Sequence, residues 1–185
     1  MALVVSLASV ALARAALIVS PRIFVVDASK VPTGIGYTLL LIAHIAAAVV
    51  GFAALFFTGF EASKARQGPR AKGADAVRRY FRPGVNWAAR VLYLVPVLGF
   101  ALLADSGGAF DLSDSFVLIG LVLWFAAIAI AEALVWPAEK RIQDVVASEW
   151  QASDAFTKDC NVVVVSTCVL AIIFVFALVI MFGKP

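Results

Sequence analysis

The chain has 185 residues, of which 63% are apolar and only 15% charged, with a formal net charge of +3. A soluble domain of this length keeps roughly 30% of its unfolded surface wet after folding, and this chain has too few polar side chains to cover that surface, as its mean hydropathy of +1.01 also indicates. Those values exclude a soluble enzyme, a disordered tail and a nucleic-acid-binding module, and leave an integral membrane protein.

The first apolar stretch, residues 2–19, is broken only by Ser6, Ser9 and Arg14. It has no basic leader and Pro21-Arg22 is a poor cleavage context, so it reads as a span rather than a signal peptide. Ser6, Ser9, Ala13, Ala16 and Ser20 give it a smooth face for close helix packing, while Arg14 snorkels to the headgroups. A helix lying in the interface is the alternative.

A bilayer core about 30 Å thick takes about 20 helical residues to cross. Four further stretches, residues 36–60, 86–104, 115–136 and 161–182, meet that length. The expected fold is a single all-α domain, a transmembrane helix bundle of five spans, or of four spans with an N-terminal interfacial helix.

In the span 36–60, Ala43, Ala47 and Gly51 form a small-residue stripe beside His44, suited to helix–helix contact. The loop 61–85 that follows carries Lys64, Arg66, Arg70, Lys72, Arg78, Arg79 and Arg82, which read as lipid-headgroup contacts. Residues 67–73 form a polar turn, and residues 74–81 are compatible with a helix before Pro83-Gly84.

Arg90 enters the span 86–104 about 6 Å from its basic-loop end, and Glu132 lies about 6 Å from the same end of the span 115–136. Equal depth on consecutive antiparallel helices predicts an Arg90–Glu132 ion pair, read as a structural clamp on helix register. Pro96 lacks an N–H and so frees the carbonyl of Leu92.

Trp87, Trp136 and Trp150 fall near one membrane interface, where an indole buries its body and wets its N–H. Ile142, Val145, Val146, Glu149 and Trp150 alternate with Gln143, Asp144 and Ser148 at helical spacing. They predict an amphipathic helix, lying on the membrane surface or continuing the span past Pro137. Cys160 and Cys168, about 12 Å apart on one helix, are beyond disulfide reach and read as reduced thiols.

Lys and Arg counts set the orientation. The loops 61–85 and 137–160 share a side and carry ten basic residues against three (Arg22, Lys30 and Lys184) on the other. This places both loops in the cytoplasm and the C-terminus outside.

His44 is the single histidine, so haem ligation by two histidines of one chain is excluded. Met181 near the end of the last span is the candidate second soft ligand. The residues favour a packed, hydrogen-bonded His44 and no cofactor, with haem or copper at His44 as the alternative. No phosphate loop, metal motif or activated nucleophile is present, and no enzyme activity or nucleic-acid partner is expected.

Ile42-Ala43-His44-Ile45 followed by Gly51, the basic loop, the Trp-containing spans, and Val135-Trp136-Pro137 before Lys140-Arg141 together carry a resemblance. Over residues 36–182 the chain resembles a small bacterial family of integral membrane proteins of unknown function, distantly like copper-resistance-D-type membrane proteins. The resemblance implies a bundle of about four helices in the cytoplasmic (inner) membrane and, in the better-known relatives, histidines that handle copper or haem. His44 alone carries over.

The functional expectation is a non-enzymatic accessory or scaffolding subunit, its partners being the lipid bilayer and other membrane subunits or further copies of itself. The alternatives are a metal- or haem-handling protein using His44, and a small carrier or channel using Arg90 and Glu132.

Overall fold

A computed structural model describes residue 32 and residues 34–148 and 150–182. The reading of residues 2–19 as a span, with Arg14, lies outside the described residues, as does Glu149. Within them the chain is helical. α1 spans Ile35–Ala65, α2 Ala74–Tyr80 and α3 Trp87–Arg90, followed by a 3-10 turn over Val91–Tyr93 and α4 over Leu94–Ala104. α5 spans Ser115–Ile130, a π turn covers Ala131–Val135, α6 runs Trp136–Ala147 and α7 Asp154–Phe182.

Four of these assemblies are long and apolar enough to cross a membrane: Ile35–Ala65, Trp87–Ala104, Ser115–Ala147 and Asp154–Phe182. Their outward faces carry large apolar side chains such as Ile42, Val122, Phe125, Ile172 and Val175. In water such a surface is untenable; in hydrocarbon it is the expected one.

α1 is the central helix and packs chiefly on α7 and on the second span. Its buried stripe runs through Ala47, Gly51, Leu55, Thr58, Ala62 and Ala65, a repeat of three or four residues that faces one side of a helix. The small residues set the helix spacing. A Cβ on Gly51 would sit 3.0 Å from the Leu92 backbone nitrogen, and one on Gly59 would overlap Thr167 of α7. Phe52 and Phe174 stack across the same contact with centroids 4.6 Å apart. Of the expected stripe, Ala47 and Gly51 are buried whereas Ala43 is exposed. The face turned to the second span passes through His44 instead, one residue and about 100° further round the helix.

The third span packs on α7, and α4 and α5 are not among the closely packed pairs. The spans are therefore ordered second, first, fourth, third, and side chains close the gap between the second and third.

Pro137 departs from the simple picture of a span that ends at Trp136. It offers no N–H and its ring crowds the carbonyl one turn back, and the helix accommodates it through the π turn Ala131–Val135 without stopping. Residues 137–147, expected within the second basic loop as a helix on the membrane surface or one continuing the span, take the second course and with Trp136 form α6. The buried face of α6 is Glu139, Ile142, Gln143 and Val146. Gln143 thus lies inside, not on the polar face, because it bonds the loop beneath. α7 likewise begins at Asp154, seven residues before the expected start of its span.

Candidate functional site

A network of polar side chains from several elements gathers at the basic-loop end. Thr58 on α1 donates its hydroxyl proton to the Ala54 carbonyl at 2.9 Å, so its oxygen accepts from Tyr80 Oη at 2.6 Å. Asn86 begins α3 and accepts the Ala89 N–H at 3.2 Å, capping it. Its amide donates to Thr58 Oγ1 at 3.3 Å, Tyr80 Oη at 3.2 Å and Glu139 Oε1 at 3.5 Å. One turn along, Gln143 accepts the Gly84 N–H at 3.3 Å. Four separate elements meet in this node: α1, α2, the start of the second span, and α6.

Two carboxylates flank it. Glu139 and Glu61 are both almost fully buried, and Glu61 Oε1 pairs with Lys64 at 2.8 Å while its Oε2 has no partner among the described residues. Burial pushes the Tyr80 hydroxyl above its ordinary 10.0, and the charges of Glu139 and Glu61 push the same way. The hydrogen bonds with Thr58 and Asn86 offset part of that rise.

Beside the node, Arg90 Nη1 lies 3.6 Å from Glu132 Oε1, and the guanidinium sits 3.4 Å from the centroid of the Trp136 ring. Tyr93 donates its hydroxyl to Glu132 Oε1. Glu132 stands in the π turn, so the irregular backbone delivers the carboxylate to the second span. Arg90 is about one third exposed and Glu132 about half.

His44 lies deeper in the bundle, its Nδ1 2.9 Å from the Val95 carbonyl. Its ring lies against Gly99. Met181 packs its methyl over Gly120 of α5, on a different interface. The structure does not bring His44 and Met181 together. Among the described residues no three His, Cys, Asp or Glu side chains are grouped to hold a metal. Cys160 is buried, Cys168 exposed, and both are free thiols.

The basic residues of the first loop divide into two sets. Lys64 pairs with Glu61, Arg66 donates to Asn161 Oδ1 at 2.5 Å, and Arg78 lies over the Trp150 ring at 5.2 Å. Arg70, Lys72, Arg79 and Arg82 are exposed and form no ion pair among the described residues, as suits headgroup contact. Trp87 is exposed, but Trp136 and Trp150 are buried with indole N–H groups that find no partner among the described residues. Those two were expected to wet their N–H groups. Instead the arginines cover their faces, and each indole is closed in by packing.

Thr58, Tyr80, Glu61 and Glu139 are not among the residues that the sequence singles out. For Glu139 a signal existed: 139, 142, 143 and 146 share one helical face. For Tyr80 there was none, since its partner lies 22 residues away across a loop.

The model of a family described as predicted integral membrane proteins, DUF2269, matches residues 38–184. The match covers the four described spans and the loops between them. No curated protein and no solved structure matches the chain. Likeness to copper-resistance-D-type proteins is not among what these comparisons show.

Proposed function

The chain belongs to the DUF2269 family of integral membrane proteins, and from that premise we propose that it is a non-enzymatic accessory or scaffolding subunit of a larger membrane assembly. One observation carries the reading: Arg90, Glu132 and His44, the ionisable side chains that the sequence places inside the described spans, are held by groups of the same chain. Arg90 has Glu132 and the Trp136 ring, and His44 has the Val95 carbonyl. Groups bonded in this way fix helix positions; they are not poised to pass a proton or solute, which weighs against a carrier working through Arg90 and Glu132.

The ten-to-three excess of Lys and Arg supports a bacterial inner-membrane orientation with the loop 61–85 in the cytoplasm and the C-terminus outside. The chain tagged at its native level and extracted in mild detergent is expected to migrate with stoichiometric membrane partners. Migration as a lone monodisperse chain overturns the proposal.

The Nδ1 contact of His44 favours a second reading. A histidine that binds a metal through Nε2 commonly donates Nδ1–H to a carbonyl, and Val95 stands in that position. In this reading His44 is one ligand to haem or copper. A Soret band or bound copper that His44→Ala abolishes supports it; a colourless, copper-free protein from cofactor-replete cells removes it.

A further inference from the structure

An open groove of about 520 Å³ lies at the basic-loop end between the π turn and the first turns of α7. Its lining is ordered along the helix axis. Asp154 is at the membrane-surface end, Lys158 one turn deeper, Asn161 next, and then Val162 and Val165 with Leu134 opposite. Asp154 and Lys158 are four residues apart on one face, yet no ion pair joins them among the described residues. Asn161 accepts one N–H of Arg66, a residue outside the lining. The neighbouring Asp159 is neutralised by Arg141, whose Nε and Nη2 both reach it at 2.8 to 3.0 Å. The charges left facing the groove are one anion, then one cation about 6 Å deeper, then a largely apolar wall, with Ser166 in it, over about the next 10 Å.

That order, from surface to membrane interior, matches a phospholipid with an amine headgroup: ammonium outermost, phosphate below it, acyl chain below that. We propose that the groove seats such a lipid, with its amine on Asp154, its phosphate on Lys158, and one acyl chain along Leu134, Val162 and Val165. The charge order selects this occupant over others. A glycerol headgroup would face Asp154 with hydroxyls but no positive charge, and a trimethylated amine cannot donate a hydrogen bond to it.

The purified full chain, equilibrated in detergent with equal amounts of phosphatidylethanolamine, phosphatidylglycerol and phosphatidylcholine, tests this by native mass spectrometry of the lipid adducts. Phosphatidylethanolamine is expected to be retained preferentially. Asp154→Asn is expected to reduce its preference over phosphatidylglycerol by roughly five-fold, the effect of one exposed charge pair. Lys158→Gln is expected to weaken both lipids alike, and Asp105→Asn, exposed at the opposite end of the bundle, to change neither. Both groove substitutions fall at exposed positions, so monodispersity is expected to persist and is measured alongside. Equal retention of the three lipids, preference for phosphatidylglycerol, or an Asp154→Asn variant with unchanged selectivity overturns the proposal.

Discussion

Trp124 donates its indole N–H to the carbonyl of Leu92 at 2.9 Å, across two spans whose backbones do not pack closely. The cause is Pro96, which stands four residues after Leu92 and has no N–H to offer it. The bond therefore does two things. It satisfies a carbonyl that hydrocarbon would leave bare, and it ties the third span to the second.

Trp124→Phe is expected to lower stability in detergent by about 1 kcal/mol, the usual size of an interhelical bond in a membrane bundle. In a Pro96→Ala background the cost is expected to shrink, because that substitution restores the helical N–H donor to the Leu92 carbonyl. A double-mutant cycle by thermal unfolding measures the coupling. Equal costs in both backgrounds would show that the indole acts by packing alone.

Arg90 and Glu132 are unequal partners. Loss of the carboxylate removes an ion pair at 3.6 Å and the Tyr93 hydroxyl bond, so Glu132→Gln is expected to cost about 1 kcal/mol, the size of a polar contact between membrane helices. Arg90 also covers the Trp136 ring. Arg90→Lys keeps the charge but loses the planar stack, and is expected to cost more than Glu132→Gln. Thermal unfolding of the two variants ranks them; the reverse order would make the ion pair the dominant contact.

Much of the bundle was legible because its signals are local. Apolar runs of span length, the freed carbonyl at Leu92 and the matched depths of Arg90 and Glu132 all follow from helix geometry along the chain. The donor that fills the Leu92 carbonyl does not, since Trp124 is 32 residues away. Pro137 was visible, but a proline can end a helix or be absorbed by a π turn, and local rules do not choose between those outcomes. The node around Asn86 was hidden for another reason. Glu61, Glu139 and Gln143 are polar types that favour solvent, and although 139, 142, 143 and 146 share one helical face, only the fold shows that this face turns inward.

Gly59 marks the closest approach of α1 and α7. A Cβ there would overlap the Thr167 side chain, whose hydroxyl donates to the Val164 carbonyl at 3.0 Å. Gly59→Ala gains helix propensity of about 1 kcal/mol, yet it is expected to destabilise the bundle, by about 1–3 kcal/mol net of that gain. Thr167→Ala in the same chain is expected to recover part of the loss by removing the atoms that clash. A Gly59→Ala variant as stable as the parent would mean that α1 and α7 separate more easily than this packing implies.

Tyr80 gives the node a signature in alkali. Its hydroxyl is held above the ordinary 10.0, chiefly by burial and also by the charges of Glu139 and Glu61. In the unfolded chain the same phenol ionises near its ordinary value. Between those two points the folded state holds more protons than the unfolded state, so stability falls as pH rises. The stabilisation is fully present below pH 10.0 and is lost as pH climbs through the higher folded value. Thermal unfolding in detergent is expected to show a steeper decline above pH 10.0 for the parent than for Tyr80→Phe, whose lower starting stability reflects the lost hydroxyl bonds to Thr58 and Asn86. Tyrosinate absorbance compared between the two proteins is expected to lack one late-titrating phenol in the variant. Parallel alkaline slopes would place Tyr80 in water, and α2 would then lose its hydroxyl bonds to the node.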